Sequence, residues 1–244
     1  MARQPSLGFE APLPLYGTRG ADILVCGKHF STDASGALYW PEQKTLIVSD
    51  LHLENGSAAA GKGQLLPPYD TRSTLRRLAG LIDRFDPDRV IALGVSFHDA
   101  RAAERLRQKD RERLCILRQG REWYWIAGNH DPELPDWLGG VVCPALTLEG
   151  IKFRHEPASG VTSHEIAGHL HPAARLTRRG GAVRRKCFIS DGRRLVVPAF
   201  GAYAGGLNVL DKAFADLFQA NDFHVWMLGR KDVYPVSRKQ LLSD

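Results

Sequence analysis

Five times along this chain a short apolar run ends in a cluster of polar groups. The stretches are TLIVSDLHLE (Thr45–Glu54), RVIALGVSFHDA (Arg89–Ala100), YWIAGNHD (Tyr124–Asp131), IKFRHEP (Ile151–Pro157) and EIAGHLHP (Glu165–Pro172). Each apolar run has the length of a buried strand. Side chains at the ends of neighbouring strands converge at one edge of a sheet, where open α/β folds collect ligands. The repeated placement of Asp, Asn and His just past such runs therefore constrains the fold: the strand ends must meet.

The intervening pattern supports an α/β chain. Strands are expected at Asp22–Val25, Ala37–Trp40, Thr45–Val48, Val90–Leu93 and Trp123–Ala127. Thr71–Phe85 has helical periodicity through Leu75, Leu78, Leu81 and Ile82, with Asp70 as a cap. Asp99–Arg118 predicts a second, charged helix, and Asn55–Tyr69 a Gly-rich loop of the kind that borders sites. From Val141 the pattern turns to strands: Val141–Leu148, Ile151–Arg154, Glu165–Gly168, Arg184–Ser190, Leu195–Ala199 and His224–Leu228, with a short helix at Ala213–Gln219. Residues 1–20, rich in Pro and Gly, are expected to wrap the surface, and residues 21–244 to form one layered domain with helices outside packed sheets.

With 244 residues the chain can bury a full core. Its mixed charge and ordinary apolar content exclude a disordered protein. A net charge of +6 admits an anionic partner without requiring one. Cys26, Cys115, Cys143 and Cys187 are scattered without CxxC spacing, which suits free thiols in a reducing compartment. The N-terminus lacks a continuous apolar segment and no run could span a bilayer, so the expectation is a cytoplasmic protein with no membrane partner.

Asp50 and His52 are separated by one residue, and His169 and His171 repeat that spacing. If their strands continue that far, period two puts each pair on one face. Asn129, His130 and Asp131 follow one strand, and His155 another. Carboxylate, amide oxygen and imidazole together suit Mn, Fe, Zn or Ni rather than Mg or Ca. Such a site lowers the pKa of water toward neutrality, and two ions about 3.5–4 Å apart clamp a phosphoryl group. A lone His is more often a surface or core residue than a ligand, and His29, His164 and His224 take that reading.

SDLH, GNHD, the His of FRHEP and GHLH, in that order, resemble the motifs of the calcineurin-like metallophosphoesterases. LPPYDT, SFHDARAAERL, GHLHPAARL and RRKCFISDGRRLVVPAFGAYAGGLNVL resemble one branch more closely, the bacterial ligase-associated DNA-damage-response endonucleases (PdeM). The resemblance covers residues 20–230. It implies a four-layer αββα sandwich of two mixed β-sheets flanked by helices, and a two-metal centre, most often Mn, that hydrolyses phosphodiesters. It also implies that Asp50, His52 and His171 bind one metal, and Asn129, His155 and His169 the other. His130 would contact the substrate phosphate and protonate the leaving oxygen, a role that suits an imidazolium near neutral pH. Asp131 could orient His130 or cap the following turn.

The same family carries a GD motif after the second core strand, its Asp bridging both metals. Here the pair is Gly94-Val95, and valine cannot coordinate a cation. Ser96 and Asp99 are nearby oxygen donors, and nothing in the sequence shows that either substitutes. The expectation is weakened metal binding and reduced activity on an intact fold. For substrate contacts, His98 and the basic run Arg178, Arg179, Arg184 and Arg185 around Gly180-Gly181 are candidates, beside the alternative of a solvated hairpin. Three readings stay open. One is a phosphodiesterase or endonuclease on single-stranded DNA, tied to repair. Another is an impaired fold that binds nucleic acid or a ligase or helicase partner. The third is a hydrolase of small cyclic nucleotides.

Overall fold

The structure is a computed structural model and describes residues 20–61, 69–99, 101–129, 134–160, 162, 164–219 and 222–244. The segment 1–20, expected to wrap the surface, falls outside these apart from its last residue.

The first sheet holds seven strands in sequence order. These are β1 (Asp22–Val25), β2 (Lys28–Thr32), β3 (Leu38–Trp40), β4 (Thr45–Ser49), β5 (Arg89–Leu93), β6 (Glu122–Ile126) and β7 (Val141–Cys143). β1 to β4 form an antiparallel meander, and β4 to β7 run parallel. β2 (KHFST) escapes a hydrophobicity reading because only alternate residues, Phe30 and Thr32, are buried. The parallel register sets Ser49 beside Leu93 and Leu93 beside Ile126. The loops after three strands therefore leave the sheet at one edge.

The second sheet begins with β8 (Ala145–Leu148), β9 (Ile151–Arg154), β10 (Glu165–Ala167), β11 (Pro172–Arg178), β12 (Gly181–Ser190) and β13 (Arg194–Val196). It is completed by β14 (Leu207–Asn208), β15 (His224–Leu228), β16 (Val233–Val236) and β17 (Leu241–Leu242). β10 runs parallel to both β9 and β13, with Ala167 opposite Arg154 and Val196. The expected strand Val141–Leu148 is two strands in different sheets, broken at Pro144, which has no amide hydrogen for a ladder.

Three apolar clusters define the layers. One face of the first sheet (Leu46, Val48, Val90, Ala92, Trp123, Trp125) packs on α2 (Asp70–Phe85) through Leu75, Leu78, Leu81 and Ile82, and on Leu114 of α4 (Gln108–Arg118). The opposite face (Ile47, Ile91, Leu93, Ile126) meets Phe153, Ile166, Phe188 and Leu195 of the second sheet. The outer face of that sheet (Cys187, Ile189, Val225, Met227) is covered by Phe214 and the segment beyond α5 (Lys212–Ala215). The order is helix, sheet, sheet, helix, as the resemblance implies, with a thin fourth layer.

Local chemistry explains the departures. α2 stops at Asp86, left-handed at φ 41, just before Pro87. Asp70 is not its cap: it lies inside the helix, and its Oδ2 accepts the Gly56 amide at 2.9 Å. Asn55–Gly61, expected as loop, forms α1. The expected helix Asp99–Arg118 is split into α3 (Ala102–Arg105) and α4 by extended backbone at Leu106 and Arg107.

Candidate metal centre

Asp50 sits one residue past β4, fully buried. Its Oδ2 accepts the Ser49 hydroxyl and the His169 amide, the latter at 3.0 Å. Its Oδ1 lies 3.3 Å from His171 Nε2 and 3.7 Å from His155 Nδ1, yet no well-aligned donor among the described residues satisfies it. A buried carboxylate oxygen without a donor is costly unless a cation takes that place. Burial pushes the Asp50 carboxyl upward, but His171, His155 and Ser49 outweigh it and hold the group below the usual carboxylate range.

His52 and His171 complete the first group. Their Nε2 atoms are 3.2 Å apart. One carboxylate oxygen of Asp50 and one nitrogen of each ring all lie within 4.8 Å of one another. Two facing imidazole nitrogens can share only one hydrogen bond, whereas a cation between them is met by both lone pairs. The donor set thus fits a divalent transition metal.

The second group is contiguous with the first. His155 Nε2 lies 3.0 Å from Asn129 Oδ1 and 3.1 Å from His169 Nδ1, while its Nδ1 lies 3.2 Å from the Leu93 carbonyl. His155 is buried, and that burial pushes its pKa below the usual histidine range against the pull of Asp50. All six side chains expected as ligands therefore meet in one cluster, and Asn129 alone among them is exposed.

The route to that convergence differs from the period-two expectation. β4 ends at Ser49 and β10 at Ala167. Asp50, His52, His169 and His171 all adopt left-handed backbone, with φ of 51, 46, 69 and 46. Turns past the strand ends, not strand alternation, set the geometry of both pairs: Asp50 and His52 fall in one group, and His169 and His171 in different ones. His130 and Asp131 lie outside the described residues.

Val95 is 2 % exposed and left-handed at φ 35, and joins none of the three apolar clusters. Its carbonyl accepts the His52 amide at 2.9 Å, so the loop after β5 is tied to the turn that carries the first group. Asp99 is engaged elsewhere, accepting two bonds from Arg105 at 2.6 and 3.0 Å and one from the Arg101 amide. Among the described residues the buried Ser96 hydroxyl has no hydrogen-bond partner.

Among the candidate substrate contacts, His98 Nδ1 stands 3.4 Å from His52 Nδ1, beside the cluster. The basic hairpin divides by strand alternation. Arg184 and Lys186 share one face: Arg184 bonds Asp244 and the Gly206 carbonyl, and Lys186 reaches the Ala199 and Gly201 carbonyls. Arg178 and Arg185 instead line a groove of about 660 Å³ with Leu176, Val183, Met227 and Tyr234. Arg179 is exposed at the turn.

A nuclease designated MPE from Pseudomonas putida matches this structure with a TM-score of 0.68 at 27 % identity, over 89 % of this chain and 100 % of that one. The phosphoesterase YfcE from E. coli matches over 82 % of this chain and 96 % of its own, at 16 % identity and a TM-score of 0.39, too remote to carry an argument. No protein-family model matches the chain, and no curated protein does. The fold is that of a metallophosphoesterase, and the resemblance to the calcineurin-like superfamily is borne out; these likenesses do not reach the narrower branch.

Proposed function

We propose that the chain is a metal-dependent phosphodiesterase that cleaves nucleic acid, with its metal-binding strength and rate lowered by Val95. The observation that carries this reading is the inward-facing ligand set, above all the buried Asp50 Oδ1 with no well-aligned donor among the described residues. The likeness to a nuclease at 27 % identity across almost the whole chain supports the substrate class.

In this reading Asp50, His52 and His171 hold one divalent ion, and Asn129, His155 and His169 the other. Such ions polarise a phosphoryl oxygen and activate water. The remaining work falls to the chain. Ser49 and the His169 amide fix the Asp50 carboxylate, and the Leu93 carbonyl fixes the outer nitrogen of His155 so that Nε2 faces inward. His130 would donate the proton to the leaving oxygen. We further assign Mn as the metal, single-stranded DNA as the substrate, a repair role in the ligase-associated branch, residues 21–244 as one domain, and the cytoplasm as the compartment. No helix among the described residues is long and apolar enough to cross a membrane.

Val95 favours a second reading, an impaired centre on a fold that binds nucleic acid or a repair partner. One experiment separates the two. The purified protein is loaded with Mn²⁺, its bound metal counted, and its rate measured on single-stranded DNA and on bis(p-nitrophenyl) phosphate. Cleavage that rises with bound Mn²⁺ and is lost in Asp50→Asn supports the enzyme. DNA binding with no Mn²⁺-dependent cleavage of either substrate supports the second reading. A protein that holds no metal overturns the first.

A further inference from the structure

The half-buried cations Lys186 and Arg77 have no part in the ligand set, yet both end at the same short segment. Lys186 Nζ, from β12, donates to the Ala199 carbonyl at 2.7 Å and the Gly201 carbonyl at 3.1 Å. Arg77, from α2, donates to the Phe200 carbonyl between them and stacks over the Phe200 ring at 4.7 Å. Three consecutive carbonyls are thus held by two side chains. The amides of the same segment point to the metal centre: Phe200 N donates to the Ser49 carbonyl at 2.7 Å, and Gly201 N to the Asp50 carbonyl at 3.0 Å. Ala202 N is held by Thr74 Oγ1 at 3.1 Å. The approach is close enough that a Cβ on Gly201 would fall 2.3 Å from the Leu51 carbonyl oxygen.

We infer that Lys186 and Arg77 are positioning residues for Asp50: they clamp the Ala199–Gly201 strap, and the strap holds the left-handed turn that presents the Asp50 carboxylate to the metal centre. This rests on the reading of Asp50 as a ligand. The physical case is that the arrangement is poor as a device for stability. Among the described residues neither cation forms an ion pair, and the two like charges, both half-buried and partly desolvated, are close enough for Arg77 to act on Lys186. Burial pushes the Lys186 ammonium down to about 8, the Arg77 charge adds to this, and Asp50 opposes it. What the two cations do achieve is to fix a backbone that could otherwise slide. Asp50 is the only member of the cluster fixed at its backbone carbonyl by this strap and at its carboxylate by Ser49 and His169. Groups that orient a ligand in this way are worth roughly 10–100-fold in metal affinity when removed.

The test is the Mn²⁺ dissociation constant, measured by calorimetry well below the melting temperature, for the full chain and for Lys186→Met. The expected result is a rise of roughly 10–100-fold in a folded variant. Lys186→Gln keeps N–H donors for the carbonyls and should fall between the two; it also serves if Lys186→Met does not fold. An unchanged constant in a folded variant, with only the melting temperature lowered, would mean that Lys186 is merely structural and would overturn the inference alone. A parent chain that binds no Mn²⁺ would overturn the metal-centre reading and the inference with it. Weakened binding in a chain without diesterase activity would leave the inference standing and remove the proposed reaction.

Discussion

The imidazole of His155 lies against the Cα of Gly94, where a Cβ would come within 2.2 Å of Nδ1 and 2.3 Å of Cγ. Gly94 is also left-handed, at φ 70. Only glycine meets both demands, so the loop after β5 and the ring that faces Asn129 and His169 are one packed unit. Gly94→Ala should displace His155 and cost about 1–3 kcal/mol of stability from backbone strain alone. Metal counting on the variant should show the ion at the His155 group lost first. Retention of both ions with an unaltered denaturation midpoint would show that the loop yields without moving the ring.

Metal should stabilise the folded chain, because the unfolded chain holds no preformed ligand set. Mn²⁺ at about 100 times its dissociation constant should add about 2.7 kcal/mol, roughly 5–10 °C in melting temperature for a chain this size. His171→Ala removes one of the three groups of the Asp50, His52 and His171 set and should abolish most of that gain. An equal gain in both proteins would place the stabilising ion elsewhere.

Much of this centre was legible because its residues are chemically conspicuous. Asp50, His52, Asn129, His155, His169 and His171 each follow an apolar strand, and strand ends converge. The spacing argument for Asp50 and His52 reached the right pairing for the wrong reason, since alternation ends with the strand and the left-handed turn sets their geometry. Lys186 follows Arg184 and Arg185 directly in the chain, and sequence shows charge without direction. Its true partners, Ala199 and Gly201, are backbone groups that no residue pattern marks. β2 and α1 were missed because one buries only every other side chain and the other is built from Asn, Gly, Ser and Ala, weak helix signals apart from Ala.

Arg194 and Glu165 form a buried pair that ties β10 to β13, with Arg194 Nε 2.8 Å from Glu165 Oε1. Arg194 also donates to the Leu217 and Ala158 carbonyls. Glu165→Gln leaves the guanidinium buried without its counter-charge and should cost about 3–5 kcal/mol in chemical denaturation. Mn²⁺ affinity below the melting temperature should not change, because neither residue touches the cluster. A small loss, under about 1 kcal/mol, would mean that the carbonyls alone satisfy Arg194.

Lys186 gives a pH signature. Its folded pKa is lowered from 10.5 to about 8, so between those values the unfolded chain binds more protons. Stability from this group is therefore fully present above about 10.5 and is lost as pH falls through about 8. Other groups titrate in the same window, so the difference between parent and Lys186→Met is the readout. The parent should gain stability relative to the variant from pH 8 upward. Parallel stability curves would show that Lys186 is not desolvated.

Val95 joins an unfavourable backbone to an unfavourable side chain. Its φ of 35 is a region that β-branched residues avoid and that Asp and Asn tolerate better. The His52 amide, bonded to the Val95 carbonyl at 2.9 Å, ties that backbone to the turn carrying the ligands. Asp99 is held by Arg105 and cannot serve as a replacement without breaking that pair. Val95→Asp should therefore fit the existing loop. Without metal, the new carboxylate adds negative charge near Asp50 and should lower stability. With Mn²⁺, it should supply a ligand between the two groups and screen the repulsion of two cations. The second ion should bind at least about tenfold more tightly, about 1.4 kcal/mol, and the diesterase rate should rise with its occupancy. Melting with and without Mn²⁺, metal stoichiometry and rate on bis(p-nitrophenyl) phosphate measure this in both proteins. The decisive comparison is the melting gain from Mn²⁺, which should be larger in Val95→Asp than in the parent. If the parent already holds two ions and cleaves as fast, another oxygen serves in place of the missing carboxylate. Ser96, whose buried hydroxyl has no hydrogen-bond partner among the described residues, would then be the first residue to substitute.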